Sequence, residues 1–165
     1  MNKFVKYIIL FVLLVLLQVL LLENVKVFGI NPICYVYFVL AFPTFVSNKI
    51  FMPICFLLGL CVDIFLNTYG IHAAACTAVA FFRPFIAKRT IEFDGIDSLD
   101  ELTFKALRRN NYVVYALSLI FIHHFILFAL QIFSLNLIFM VLWKTIFSTI
   151  FTFALLMVVQ MVKSK

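Results

Sequence analysis

Long apolar runs separated by short polar breaks extend along almost the whole chain, and they predict membrane-spanning helices. A bilayer core of about 30 Å requires about 20 apolar helical residues, and somewhat shorter runs are accommodated where flanking residues adapt. Six runs approach this length and predict six spans, at 4–22, 32–46, 50–66, 71–87, 112–133 and 137–162. Only residues 47–49 separate the second run from the third, but together these two runs are far too long for one crossing, so two spans are expected.

The composition excludes a water-soluble domain. Of the 165 residues, 66% are hydrophobic and only 12% are charged, which leaves too few charges to cover a surface that faces water. The 22 Phe residues show that the apolar excess lies in bulky, lipid-compatible side chains. We therefore expect an all-α integral membrane protein in which residues 1–165 form one compact domain of six transmembrane helices.

The basic residues predict the orientation, because Lys and Arg in short loops favour the cytoplasmic side. With six spans and a cytoplasmic start, all but two of the 13 Lys and Arg residues are cytoplasmic. The exceptions are Lys26, which would lie outside, and Lys144, which falls within the last run. Five spans would place the basic C-terminus on the same side as Lys26, so an even number of spans and two cytoplasmic termini are expected.

The cytoplasmic loop predicted at 88–111 carries both acidic and basic side chains, so it is not a nucleic-acid-binding patch. Within it, Ser98 and Glu101 match a capping box, in which a hydroxyl and a carboxylate accept hydrogen bonds from free N–H groups at a helix start. A short amphipathic helix is expected to begin there. The loop is either a solvated connector or a docking surface for a cytoplasmic partner.

Asp63 and His72 are candidate site residues, because ionisable side chains within membrane spans are energetically expensive. Asp63 lies about one turn before the end of the third predicted span, and His72 lies at a similar distance beyond the turn at 67–70. In an antiparallel hairpin the carboxylate and the imidazole would lie level. A pairing between them is expected, since a paired charge is much less costly to bury than an isolated one.

Small residues on the same two spans predict a close contact between them. Cys55, Gly59 and Asp63 recur at intervals of four residues, and Ala74 and Ala78 offer a second stripe on the following span. Stripes of small residues let helix backbones approach closely in lipid. The hairpin is therefore either a packing unit with a polar clamp or a site of contact with another protein.

His123 and His124 lie near the middle of the fifth predicted span. Adjacent positions on a helix point about 100° apart, so the two rings are not expected to face one ligand. A proton relay would require further intramembrane acids, and Asp63 is the only carboxylate within any predicted span. Packing roles are therefore expected for both histidines.

Three more polar positions interrupt the apolar runs. Lys144 would either extend towards the outer membrane surface or pair with Asp63 across the bundle. Arg83 and Pro84, near the inner end of the fourth span, are expected to act as an interfacial anchor and a helix kink.

No motif for catalysis or cofactor binding is present. The sequence contains no nucleotide-binding glycine loop, no HExxH zinc motif and no GxSxG nucleophile motif. The four cysteines stand singly in apolar stretches and do not form metal-binding pairs. We therefore expect a protein that is not an enzyme and that carries no cofactor and no metal.

Three short stretches carry a family resemblance: GLCVDIFLNTYGIHAAA at 59–75, FFRPF at 81–85, and the pair His123 and His124. Together with a short basic start and a first span that ends at Glu23, they resemble the rod shape-determining protein MreD family of bacteria. The likeness extends over essentially the whole chain. Outside these stretches it consists mainly of apolar agreement, and the loop at 88–111 gives it little support.

The resemblance implies a non-enzymatic subunit of the cell-elongation (rod) machinery in the bacterial inner, or cytoplasmic, membrane. Members of this family are associated with MreC, a bitopic periplasmic partner. They work with the filament-forming MreB, with RodA and with a class B penicillin-binding protein. Membrane lipids and a second copy of the chain are further candidate partners, and nucleic acid is not.

The resemblance also supplies a mechanism. The bundle would be a scaffold that holds the membrane helix of MreC and couples MreB filaments to peptidoglycan synthesis. Since the predicted outer loops are short, the contact would be largely helix to helix, or through the rim at Gly70, Ile71 and His72.

Two other function classes remain open. The family is thought to share its six-helix fold with the substrate-binding S components of energy-coupling-factor transporters. A vitamin or another small molecule could therefore bind between the helices. A proton-coupled transporter or channel is the third class.

Overall fold

A computed structural model describes residues 3–25, 31–90, 102 and 107–163. The helices are α1 (Lys3–Leu16), α2 (Val36–Ala41), α3 (Asn48–Leu66), α4 (Ile71–Thr90), α5 (Arg109–Ile132) and α6 (Ile138–Lys163). A π-helical stretch, Leu17–Leu21, and a 3-10 turn, Leu22–Asn24, continue α1, and a second 3-10 turn, Leu135–Leu137, precedes α6. These ranges contain no strand, and the capping box expected at Ser98 and Glu101 lies outside them.

Four helical stretches within these ranges are long and apolar enough to cross a membrane, which identifies the chain as a membrane protein. They are Phe4–Asn24, Asn48–Leu66, Arg109–Ile132 and Ile138–Met161. Many of their large apolar side chains are exposed on the outside of the bundle, where lipid rather than water would accept them.

Helix α4 is the most polar of the long helices, since it carries Arg83, Lys88 and Arg89. It has 20 residues, which at about 1.5 Å per residue is about the thickness of a bilayer core. It continues past Pro84 as one helix to Thr90.

Consecutive helices form the framework of the bundle. The most extensive contacts join α3 to α4, α4 to α5 and α5 to α6, as expected for helices connected by short turns. Helix α1 contacts α3, and the short α2 packs against α1, α4 and α5.

The second predicted span, 32–46, is not a continuous helix. Only the six residues of α2 are helical within it, whereas all residues from 32 to 43 are buried. Proline explains where the helix ends, because Pro43 restricts Phe42 to an extended conformation. The segment is therefore a broken helix at the centre of the bundle.

This central segment runs antiparallel to α1. At one end, the side chain of Gln18 lies 3.2 Å from the carbonyl oxygen of Pro32. Further along, the rings of Phe11 and Phe38 are 5.6 Å apart in an edge-to-face arrangement. At the other end, Tyr7 packs against Phe42 with ring centroids 5.3 Å apart. The chain thus returns along the first helix before α3 begins.

Candidate functional site

Gly59 holds α3 directly against α4. A Cβ atom built on Gly59 would lie 2.5 Å from Cα of Ala73 and would also collide with the carbonyl oxygen of His72. Only glycine fits at this distance, so the predicted close approach of the two helices is confirmed. The stripe predicted on α4 was wrong by one position. Ala73 faces Gly59, whereas the predicted Ala74 is exposed and Ala78 is half-buried.

The carboxylate of Asp63 caps the start of α4. Its Oδ1 atom accepts hydrogen bonds from the hydroxyl of Thr68 at 2.5 Å and from the N–H of His72 at 3.0 Å, and Oδ2 accepts one from the N–H of Ala73 at 2.8 Å. The predicted pairing was therefore wrong in one respect: Asp63 binds the backbone N–H of His72 and not its imidazole. The first N–H groups of a helix have no internal acceptors, and the buried carboxylate supplies them.

The turn between α3 and α4 uses left-handed backbone conformations. Asn67 and Tyr69 have φ angles of 55° and 52°, and Gly70 has a φ angle of 88°. A Cβ atom at Gly70 would meet nothing within 4 Å, so glycine is needed there for its backbone angle and not for space. This tight turn places Asp63 within reach of α4.

Tyr35 joins His72 and His123 in the core. Its hydroxyl lies 2.5 Å from Nδ1 of His72 and 3.1 Å from Nε2 of His123. A phenol has one proton, so it donates to one ring and accepts from the other. Nδ1 of His123 is buried and has no hydrogen-bond partner among the residues described, so this chain of hydrogen bonds ends there.

His124 faces a different set of partners. Its Nδ1 lies 2.7 Å from the carbonyl oxygen of Ile120, which can only accept, so Nδ1 carries the proton. Nε2 lies 3.3 Å from the hydroxyl of Thr152, and the Thr152 oxygen accepts from the N–H of Ile33 at 3.2 Å. His124 thus connects α5 and α6 to the central segment.

Gln18 satisfies the backbone at the same end of that segment. Its Nε2 donates to the carbonyl of Pro32 at 3.2 Å, and its Oε1 accepts from the N–H of Cys34 at 2.9 Å. The side chain is 1% exposed and lies in the π-helical stretch that follows α1. Buried backbone groups outside a regular helix need hydrogen-bond partners from elsewhere in the protein, and Gln18 supplies them here.

Arg83 does the same at the other end of the segment, and its role as an interfacial anchor stays a prediction. Its side chain is 6% exposed. Nε donates to the hydroxyl of Tyr115 at 2.9 Å, and Nη2 donates to the carbonyl of Phe42. The Tyr115 hydroxyl donates in turn to the carbonyl of Leu40 at 3.1 Å. These carbonyls lie at the end of α2, where the helix itself provides no donors.

A polar cavity opens at the end of the bundle that carries the turn between α3 and α4. Its volume is about 580 Å³. Both charges and neutral polar groups line it, among them Glu23, His72, Gln131 and Lys144. Nζ of Lys144 lies 6.0 Å from the ring centroid of Phe128. Lys144 does not pair with Asp63, whose carboxylate accepts hydrogen bonds from the start of α4.

The structure brings some of the candidate residues together and separates others. His72 and His123 share Tyr35, and His72 and Lys144 line the same cavity. Arg83 lies at the opposite end of the central segment. No group of three or more His, Cys, Asp or Glu side chains within the described ranges could hold a metal ion.

Sequence reasoning missed Tyr35, Gln18, Thr152 and Tyr115. A signal existed for Gln18 and Thr152, because polar side chains in apolar spans need partners. Tyrosine is common in such runs, so Tyr35 and Tyr115 carried no comparable signal.

Comparisons were made with protein-family models, with curated proteins and with solved structures. None of the three gave a match to this chain.

Proposed function

We propose that this chain is a non-enzymatic scaffold of the bacterial rod complex, which binds MreC in the inner membrane and helps couple MreB filaments to peptidoglycan synthesis. The observation that supports this most directly concerns the stretch at 59–75, which carries the resemblance to the MreD family. Gly59, Asp63 and Gly70 in that stretch all serve to form one rigid helical hairpin. A motif whose buried carboxylate is satisfied within the fold suits a scaffold better than a reaction centre.

Six crossings with both termini in the cytoplasm are part of this proposal. Helices α1, α3, α4, α5 and α6 would each cross once. The central segment would provide the sixth crossing, since it returns along α1 from Gln18 to Tyr7. RodA and a class B penicillin-binding protein would join the same complex.

The outward face of α3 is the surface that we assign to the membrane helix of MreC. Leu57 and Ile64 are 52% and 66% exposed, and Cys61 between them is half-buried. Spacings of four and three residues place the three side chains on one helix face. A single partner helix could cover this stripe next to the hairpin.

The test is cysteine crosslinking to a co-expressed MreC partner that carries single cysteines along its membrane helix. Leu57→Cys is the test position, and Ile150→Cys on α6 is its control. Both side chains lie near the middle of their helices, at 52% and 59% exposure. We expect crosslinks at position 57 and none at 150. Failure of MreC to co-purify in mild detergent would contradict the function, whereas crosslinks at 150 alone would contradict only the surface.

A second candidate function, binding of a small molecule as an S component does, is favoured by the polar cavity. Its volume of about 580 Å³ lies within the range of ligand sites, about 300–1,000 Å³. Native mass spectrometry of the purified protein tests this candidate. A bound metabolite that Lys144→Gln removes and Lys49→Gln retains would favour it over the scaffold, because Lys49 does not line the cavity.

A further inference from the structure

We propose that a second cavity, between the start of α3 and the last turns of α4, binds the phosphate group of an anionic phospholipid. An acyl chain of this lipid would lie in the apolar groove next to the cavity. This inference is independent of the scaffold function. It depends on a buried cation without a counter-charge, on the charge of the cavity and on the continuity of cavity and groove.

The cavity has a volume of about 320 Å³. From α4 it is lined by Arg83, Pro84 and Lys88, and from the start of α3 by Ser47 and Asn48. No carboxylate lies among its lining residues within the described ranges. The cavity is therefore positive, and an anion is the complementary ligand.

Arg83 is the central group of this site. Its hydrogen-bond acceptors, the hydroxyl of Tyr115 and the carbonyl of Phe42, are neutral, and the ring of Phe51 lies 4.9 Å from its guanidinium carbon. Nη1 has no partner among the residues described, and no ion pair to Arg83 is present among them. A buried cation is costly without a counter-ion, and a phosphate at Nη1 would supply one.

The start of α3 adds a second attraction for an anion. The hydroxyl of Ser47 accepts from the N–H of Lys49, and the carbonyl of Ser47 accepts from Ile50. The N–H of Asn48 has no acceptor among the described residues. The free N–H groups at the start of a long helix and the positive end of its dipole favour phosphate.

The adjoining groove indicates a lipid rather than a free phosphate. The groove has a volume of about 670 Å³ and shares Phe45, Val46 and Ser47 with the cavity. Its other lining residues are mainly aromatic and aliphatic side chains of α1, the central segment and α3, including Phe4, Phe11 and Ile54. Between Phe4 and Phe11 the groove follows α1 for about 10 Å, most of the depth of one leaflet.

The experiment measures phospholipid binding to the full-length protein, delipidated in neutral detergent, by native mass spectrometry. The probes are dioleoylphosphatidylglycerol, dioleoylglycerol, which lacks the phosphate, and inorganic phosphate, which lacks the acyl chains. We expect one phosphatidylglycerol per chain to bind at least tenfold more tightly than either other probe. Binding of dioleoylglycerol or of inorganic phosphate as tight as that of phosphatidylglycerol, or no phospholipid binding, would each overturn the proposal.

Two variants of neighbouring bases locate the site. Lys88→Gln should weaken phosphatidylglycerol binding about fivefold, which is the effect of one cation near an anionic headgroup. Arg89→Gln, on the next position of α4, should change it less than twofold, because Arg89 does not line the cavity. Equal effects of the two substitutions would overturn the assignment. Both side chains are exposed, so neither substitution disturbs the core as a change at Arg83 would.

Discussion

The Oδ2 atom of Asp63 lies 2.8 Å from the backbone nitrogen of Ala73, so a carboxylate in the last turn of α3 caps the first turn of α4. Within the described residues its partners are two backbone N–H groups and the hydroxyl of Thr68. The same pair of helices is in contact one turn earlier at Gly59. The hairpin is therefore fixed by a cap and by a close backbone contact.

Removing the cap should destabilise the protein. Asp63→Ala leaves two buried N–H groups without an acceptor, so we expect the free energy of unfolding to fall by about 2–3 kcal/mol. Asp63→Asn keeps one acceptor oxygen and should lose about half as much. The measurement is unfolding in detergent, followed by the fluorescence of Trp143, the single tryptophan. An Asp63→Ala protein as stable as the parent would exclude the capping role.

The contact at Gly59 should not tolerate even one added methyl group. For Gly59→Ala we expect a loss of about 1–3 kcal/mol, because the methyl group would overlap the backbone at Ala73, and for Gly59→Leu a larger loss. Ala74→Leu is the matched control on α4, since its side chain is exposed. The same unfolding assay compares them. If Gly59→Ala and Ala74→Leu were equally stable, the close approach of the helices would be disproved.

The hydroxyl of Tyr35 should stabilise two rings at once. Tyr35→Phe removes the hydroxyl that both His72 and His123 contact, so we expect a loss of about 1–3 kcal/mol. Tyr69→Phe is the control. Tyr69 is 101% exposed, so this substitution should leave the free energy of unfolding unchanged. A double-mutant cycle of Tyr35→Phe with His72→Phe should show a coupling of about 1 kcal/mol. Additive effects would mean that the two side chains do not interact.

The sequence was sufficient for the long helices, because each is one apolar run whose backbone hydrogen bonds are internal. The predicted spans 50–66 and 71–87 correspond to Asn48–Leu66 and Ile71–Thr90. The sequence was insufficient for 32–46, because the non-helical ends of that segment depend on hydrogen bonds from distant side chains such as Gln18 and Arg83. Apolar patterning predicts a span there, but it does not reveal where the helix breaks.

The position of the candidate site was predicted correctly, but the hydrogen-bond partners within it were not. Turn length and spacing were enough to place Asp63 beside the start of α4. They did not distinguish the imidazole of His72 from its backbone N–H as the partner, since both lie at the same level. The imidazole is instead turned towards Tyr35, whose location depends on the broken segment. Because the break in the helix at 32–46 was not predicted, the contact between His72 and Tyr35 was not predicted either.

The proposed orientation can be tested at the two ends of α3. We expect Tyr69→Cys to react with a membrane-impermeant maleimide in intact cells, because the turn would face outwards. Asn48→Cys should react only after permeabilisation. The parent protein provides the background, since Cys34, Cys55 and Cys76 are buried and Cys61 is half-buried within α3. Labelling of Asn48→Cys in intact cells and of Tyr69→Cys only after permeabilisation would show that the topology is the reverse of the one proposed.

Gln18 should be essential for the central segment, because it is the side chain that satisfies both Pro32 and Cys34. Gln18→Met has a similar volume but leaves a buried carbonyl and a buried N–H unsatisfied, so we expect a loss of about 3 kcal/mol and faster amide hydrogen exchange at 33–38. Gln131→Met is the matched control, because Gln131 is exposed at the end of α5. Equal stability and exchange in the two variants would show that the broken helix is held by apolar packing and not by this amide.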